Sequence, residues 1–237
     1  MVKTMPLTEH IEELRNRLVV CLVSLVIVSA LVYPLTDQVV TRIREDLLPG
    51  IGEQLIVTRP MEAIQVRVGL ALLLGFILSS PIILYQTYAF LSPALEHHEK
   101  KTLLRFLPWS VLLFFLGGGF SYFVLLPIVF RFLIRVASPV AMVMFTLGEV
   151  FSFVLILVLA MGLIFQFPLV SFLLAKLGLV SPTFWSSKRK HAFVASFLVG
   201  AIITDPSVLT QVLAAVPIIF VYEAGIITSK LGWREDR

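Results

Sequence analysis

Charge is scarce in this chain. Only 14% of its 237 residues are Asp, Glu, Lys or Arg, and cysteine occurs once. A soluble domain carries roughly a quarter charged residues, so this sequence lacks the polar groups to cover a water-facing surface. Cys21, alone and inside an apolar run, excludes an internal disulfide and a cysteine-based metal site, and reads as lipid-facing or as packing filler. Enzyme signatures are missing too. There is no His-Glu-x-x-His, no Gly-x-Ser-x-Gly, no glycine-rich phosphate loop, and no Ser/His or Asp/Asp pair within an apolar run. Catalysis, a metal and a cofactor are therefore not expected. The adjacent His97 and His98 would point in different directions on a helix, as solvated side chains rather than ligands. A formal net charge of +4 does not imply nucleic-acid binding. Neither repeats nor low-complexity linkers divide the chain, which reads as one integral domain over 1–237. No small-residue cleavage site closes the first apolar run, so that run is expected to stay in the mature protein.

Apolar residues, by contrast, make up 58% of the chain, and the mean hydropathy is +0.97. They fall in runs at 18–35, 68–91, 106–130, 150–174, 192–204 and 208–222. A bilayer crossing takes about 20 such residues, and continuous runs without strict alternation favour helices over a closed barrel. The expected fold is all-α and polytopic, with six transmembrane helices. Six crossings put both termini on one side. Lys3, Arg15, Arg17, Lys100, Lys101, Arg105, Lys176, Lys188, Arg189, Lys190, Lys230, Arg234 and Arg237 lie on the side of the termini, against six arginines opposite. The positive-inside rule then makes both termini cytoplasmic and the location a cell membrane. The fifth and sixth helices are expected to be short. Fourteen residues between Lys190 and Asp205 rise about 21 Å and seventeen between Asp205 and Glu223 about 25 Å, below a hydrocarbon thickness of about 30 Å.

With so few charges, each acid is informative. Residues 8–18 read as an amphipathic helix at the cytoplasmic interface, with Thr8 as N-cap and Leu7, Ile11, Leu14 and Leu18 on one stripe. Glu13 precedes Arg17 by four residues, the spacing of an ordinary surface ion pair. Glu96 stands in the same relation to Lys100, in a segment that opens with Ser92 as cap and Pro93 at the first helical position. Glu99 has no basic residue three or four positions on and is the freer carboxylate. Gln166 sits within the fourth run just before Pro168, where an amide needs a partner and serves either as glue between helices or as part of a transport path. Asp205 lies at the exterior turn and Glu223 near the cytoplasmic end of the sixth run. These features leave open a receptor, a scaffold or a small-solute secondary transporter, although a transporter would bring inverted repeats and mid-membrane acids.

Five motifs stand out together: His10-Ile11-Glu12-Glu13-Leu14-Arg15-Asn16-Arg17-Leu18, Pro81-Ile82-Ile83-Leu84-Tyr85-Gln86, Ala89-Phe90-Leu91-Ser92-Pro93-Ala94-Leu95 with His98-Glu99, Phe165-Gln166-Phe167-Pro168, and Thr204-Asp205-Pro206-Ser207. Taken as a set they resemble the TatC family, the multispanning core of the twin-arginine protein translocase. The resemblance runs from about residue 7 to about residue 225. It implies a receptor for the paired arginines of signal peptides on folded proteins, which assembles single-span partners of the TatA/TatB type for export driven by the proton-motive force. It also implies a homo-oligomer within a larger complex in the bilayer. By the same resemblance Glu13 and Glu99 are the signal-peptide acids, with Leu14, Arg15 and Phe90 alongside, and Glu223 and Asp205 are candidates for partner contact. A carboxylate matches the planar fork of a guanidinium. The family often carries Glu where this chain has Gln166, an amide that cannot titrate, and many relatives read Thr-Pro-Pro-Asp at the exterior turn.

Overall fold

The computed structural model describes residues 7–49, 55–91, 104–140, 142–204 and 208–233. Their regular structure is helical, and the one β contact among them is an isolated bridge between Ile56 and Thr146. The chain begins with α1 (Leu7–Val32), passes a 3-10 turn at Tyr33–Leu35 that contains Pro34, and continues as α2 (Thr36–Leu47). Next come α3 (Glu62–Leu91), α4 (Leu107–Phe120) and α5 (Leu126–Ala137). A wide π turn at Ser121–Leu125 joins the last two, where Pro127 offers no N–H to the preceding turn. Helices α6 (Leu147–Ile164) and α7 (Phe167–Lys176) follow, broken just before Pro168. Then come α8 (Pro182–Ser187), α9 (Arg189–Ile203) and α10 (Val208–Gly232).

Five segments of the described residues are long and apolar enough to cross a membrane: His10–Leu47, Glu62–Phe90, Leu107–Ala137, Leu147–Lys176 and Val208–Gly232. Helix α9, with 15 residues, rises only about 22 Å and is short as expected. The sixth helix corrects the expectation. At 25 residues it rises about 37 Å, because Glu223 does not end it. That carboxylate is neutralised by Arg189 at 2.8 Å, and the apolar residues after it continue the helix to Gly232.

The packed centre lies among α3, α5 and α6, where Leu70, Leu126, Phe151, Leu157 and Met161 are fully enclosed. Helix α10 packs on α7 and α9, and α1 leans on α3. The apolar stripe of α1 faces away from the protein and its polar stripe packs on the bundle. Ile11, Leu14 and Leu18 face outward, Ile11 with 64% of its surface exposed. The half-buried stripe is His10, Glu13, Arg17, Cys21, Ser24 and Val28, at the three- and four-residue spacing that meets a neighbouring helix. In a membrane chain the apolar side of a helix can face lipid and the polar side must find protein. The expected interfacial helix is also not separate, since α1 runs unbroken from Leu7 into the first apolar run.

The α1–α3 seam closes at Gly75, where an added Cβ would collide with Ser29 Oγ and stand 3.0 Å from Ser29 Cα. Overpacking of this kind costs about 1–3 kcal/mol. Gly75→Ala should therefore lower the thermal midpoint in detergent by roughly 5 °C. Gly119→Ala is the control, because its Cβ would meet only Phe123 at 4.0 Å.

Candidate functional site

The polar stripe of α1 meets the end of α3 in a small network. Glu13 Oε1 accepts two hydrogen bonds from Arg17, from Nε at 3.0 Å and from Nη2 at 2.5 Å. The third nitrogen of the same guanidinium, Nη1, donates to Gln86 Oε1 on α3 at 3.1 Å. The ion pair expected from sequence spacing is present, and it is also a tie between two helices. Glu13 Oε2 is buried and accepts no hydrogen bond among the described residues; His10 Nδ1 stands 3.8 Å from it. The His10 ring stacks on Phe90 with centroids 4.4 Å apart and planes 14° apart. A cleft of about 460 Å³ opens beside the network, lined by Glu12, Glu13, Asn16, Arg17, Val20 and Gln86.

Of the expected site residues, Glu13 and Phe90 thus belong to one cluster through His10. Leu14 and Arg15 do not line the cleft. Leu14 faces outward, and Arg15 is exposed and paired with Glu12 at 3.2 Å. Glu99 and Asp205 lie outside the described residues, as do His97, His98 and the Ser92 cap. Gln86 and His10 were not expected as site residues. Their signal was available: Gln86 and Phe90 are four apart on one helix, and His10, Glu13 and Arg17 recur at three and four on another.

Gln166 is fully engaged across the α4–α6 seam. Its Oε1 accepts from Ser110 Oγ at 2.5 Å, and its Nε2 donates to the Ser110 carbonyl at 3.1 Å. The side chain bridges two spans at the break before Pro168, the glue role open to it from sequence. Glu223 accepts both arms of Arg189 at 2.8 Å each, and the carboxylate raises the already high pKa of that guanidinium.

At the opposite end of the bundle a buried acid organises the loops. One oxygen of Glu62 accepts from the Thr58 N–H at 2.7 Å, Thr58 Oγ1 at 3.1 Å and the Arg59 N–H at 3.1 Å. The other accepts from the Gly148 N–H at 2.5 Å. The carboxylate therefore joins the N-termini of α3 and α6, where helix dipoles favour negative charge. Beside it Ile56 exchanges backbone bonds with Phe145 and Leu147 at 3.0 and 2.9 Å. No group of three or more His, Cys, Asp or Glu among the described residues could hold a metal.

The model of the Sec-independent protein translocase protein (TatC) family matches residues 9–217. The chain belongs to the TatC family. It is 39% identical to the Sec-independent protein translocase protein TatC of Aquifex aeolicus, with 98% of each chain covered. It is 33% identical to TatC of Escherichia coli strain K12, over 96% of this chain and 89% of that one. A crystal structure of a TatC described as the twin arginine translocase receptor superposes with a TM-score of 0.86 at 37% identity, covering 95% of this chain and all of that one. TatC relatives are named as translocase proteins, a transport role and not an enzymatic one.

Proposed function

We propose that this chain is the signal-peptide receptor subunit of a twin-arginine translocase. It forms a single integral domain with six crossings and both termini in the cytoplasm of a prokaryotic cell, counting α9 as the fifth. Its ligand is the paired-arginine segment of a signal peptide carried by a folded protein. Glu13 and Glu99 are the receiving acids, Phe90 is an apolar wall, and Leu14 and Arg15 flank them. Its further partners are single-span subunits of the TatA/TatB type and other copies of itself, with Asp205 and Glu223 as contact points. A partner reaching Glu223 must displace or bridge Arg189.

The observation that carries this reading is the state of Glu13. An acid that lines a cleft and has one oxygen accepting no hydrogen bond among the described residues is poised for a cationic ligand. A buried acceptor left unmatched costs about 1–3 kcal/mol, a cost that a guanidinium donor removes. Positive-inside counting puts this end of the bundle in the cytoplasm, where a precursor's signal peptide would arrive.

Titration of the purified protein with a fluorescent twin-arginine peptide tests the reading. Binding should persist in detergent, fall on replacing Arg-Arg with Lys-Lys, and weaken as salt rises. Equal binding of both peptides, independent of salt, would point to a groove that reads only the apolar part of the peptide.

A further inference from the structure

We propose that Gln86 is a specificity-determining residue of this site, and that Arg17 occupies the place the peptide's arginine takes. The inference rests on Glu13 being the docking acid.

The structure already holds a guanidinium at this spot. Arg17 reaches two acceptors at once, Glu13 Oε1 through Nε and Nη2 and Gln86 Oε1 through Nη1. The acceptors stand on different helices, α1 and α3, and each takes a different edge of the fork. The pair is therefore spaced for a planar group with donors on several nitrogens. A lysine ammonium has one nitrogen and cannot satisfy both positions from a single point. A carboxylate alone attracts either cation; the amide oxygen beside it rewards only the guanidinium.

Arg17 uses its fork unevenly, with two donors on one carboxylate oxygen and none on the other. It is tethered four residues from Glu13 on the same helix, and that tether dictates the approach. A peptide arginine comes untethered and can face both carboxylate oxygens while its far nitrogen takes Gln86. Arg17 swings out to solvent, toward which it is already 26% exposed. Displacing it weakens arginine and lysine peptides alike, so that penalty cancels in the ratio of their affinities. The change in that ratio when Gln86 is substituted reports Gln86, since the share that Glu13 contributes stays constant.

The test is the dissociation constant of a twin-arginine peptide and its Lys-Lys counterpart, measured on full-length protein in detergent. Gln86→Leu should weaken the arginine peptide about tenfold, the worth of a hydrogen bond to a charged group, and shift the lysine peptide by less than about twofold. Arg17→Met should tighten both peptides by about fivefold, as removal of a partly exposed ion pair allows, without changing the ratio. Gln86→Leu in the Arg17→Met background should collapse the ratio as it does alone. If Gln86→Leu weakens both peptides equally, or neither, the specificity role is wrong. Arg17→Met weakening the arginine peptide would overturn the displacement. Should Arg17→Met not yield folded protein, Gln86→Leu still reads the ratio by itself. Glu13→Gln separates the two levels: unchanged affinity there removes the docking site itself, whereas lost affinity with an intact ratio in Gln86→Leu removes only this inference.

Discussion

Glu62→Ala should lower the apparent melting temperature in detergent by roughly 10 °C, the largest stability effect of any single exposed-end substitution we expect. Its carboxylate is buried and is the common acceptor for Thr58, Arg59 and Gly148. Alanine leaves three backbone donors without that partner, each worth about 1–3 kcal/mol if water cannot replace it. The loops are partly open, so about 3–5 kcal/mol overall is the reasonable sum. Glu62→Gln keeps an acceptor oxygen but loses the charge that two helix N-termini favour, and should fall between wild type and alanine. Accelerated proteolysis at the loops before α3 and α6, with the helical content unchanged, would mark the damage as local. An unchanged melting profile for Glu62→Ala would mean that the link between α3 and α6 is held by the Ile56 bridge instead.

Glu13→Gln should cost about a hundredfold in affinity for a twin-arginine peptide while leaving the melting temperature almost untouched. Charge-assisted bonds to a guanidinium are worth about 1.5–3 kcal/mol, and an amide offers one acceptor oxygen where a carboxylate offers two. The stability side is small for a separate reason. Glu13 and Arg17 are 22% and 26% exposed, and pairs within solvent reach contribute about 0.2–1 kcal/mol. A binding loss without a folding loss is the signature of a ligand site. A parallel fall in both would make Glu13 a structural tie between α1 and α3.

Much of this architecture is legible in the sequence because a bilayer makes simple demands. The long apolar runs had to be helices, and the short run before Asp205 had to be a short helix, as α9 is. What misled was treating charge as a boundary. Glu223 looks like the end of a span when its partner is unseen, but Arg189 lies 34 residues earlier and meets it only in three dimensions. On α1 the packing side was not legible from the stripe alone. Leu14 and Leu18 form an apolar face, and in water such a face is buried, whereas here the polar face carrying Glu13 and Arg17 is the one that packs. Gln86 belongs to one of the resemblance motifs, but an amide at the end of an apolar run carries no charge to mark it as a site residue. Glu62 was hidden by its loop, since its Gly148 contact joins segments 86 residues apart.

The central claim, that signal-peptide arginines dock beside Glu13, is tested most directly by photocrosslinking. A photoreactive residue at Asn16 or Val20, both lining the cleft, should capture a twin-arginine peptide at or next to its arginines. The capture should vanish in Glu13→Gln and for the Lys-Lys peptide, and a probe at Arg131, at the other end of the bundle, should capture nothing. Capture that survives Glu13→Gln, or that is stronger from Arg131, would contradict the account.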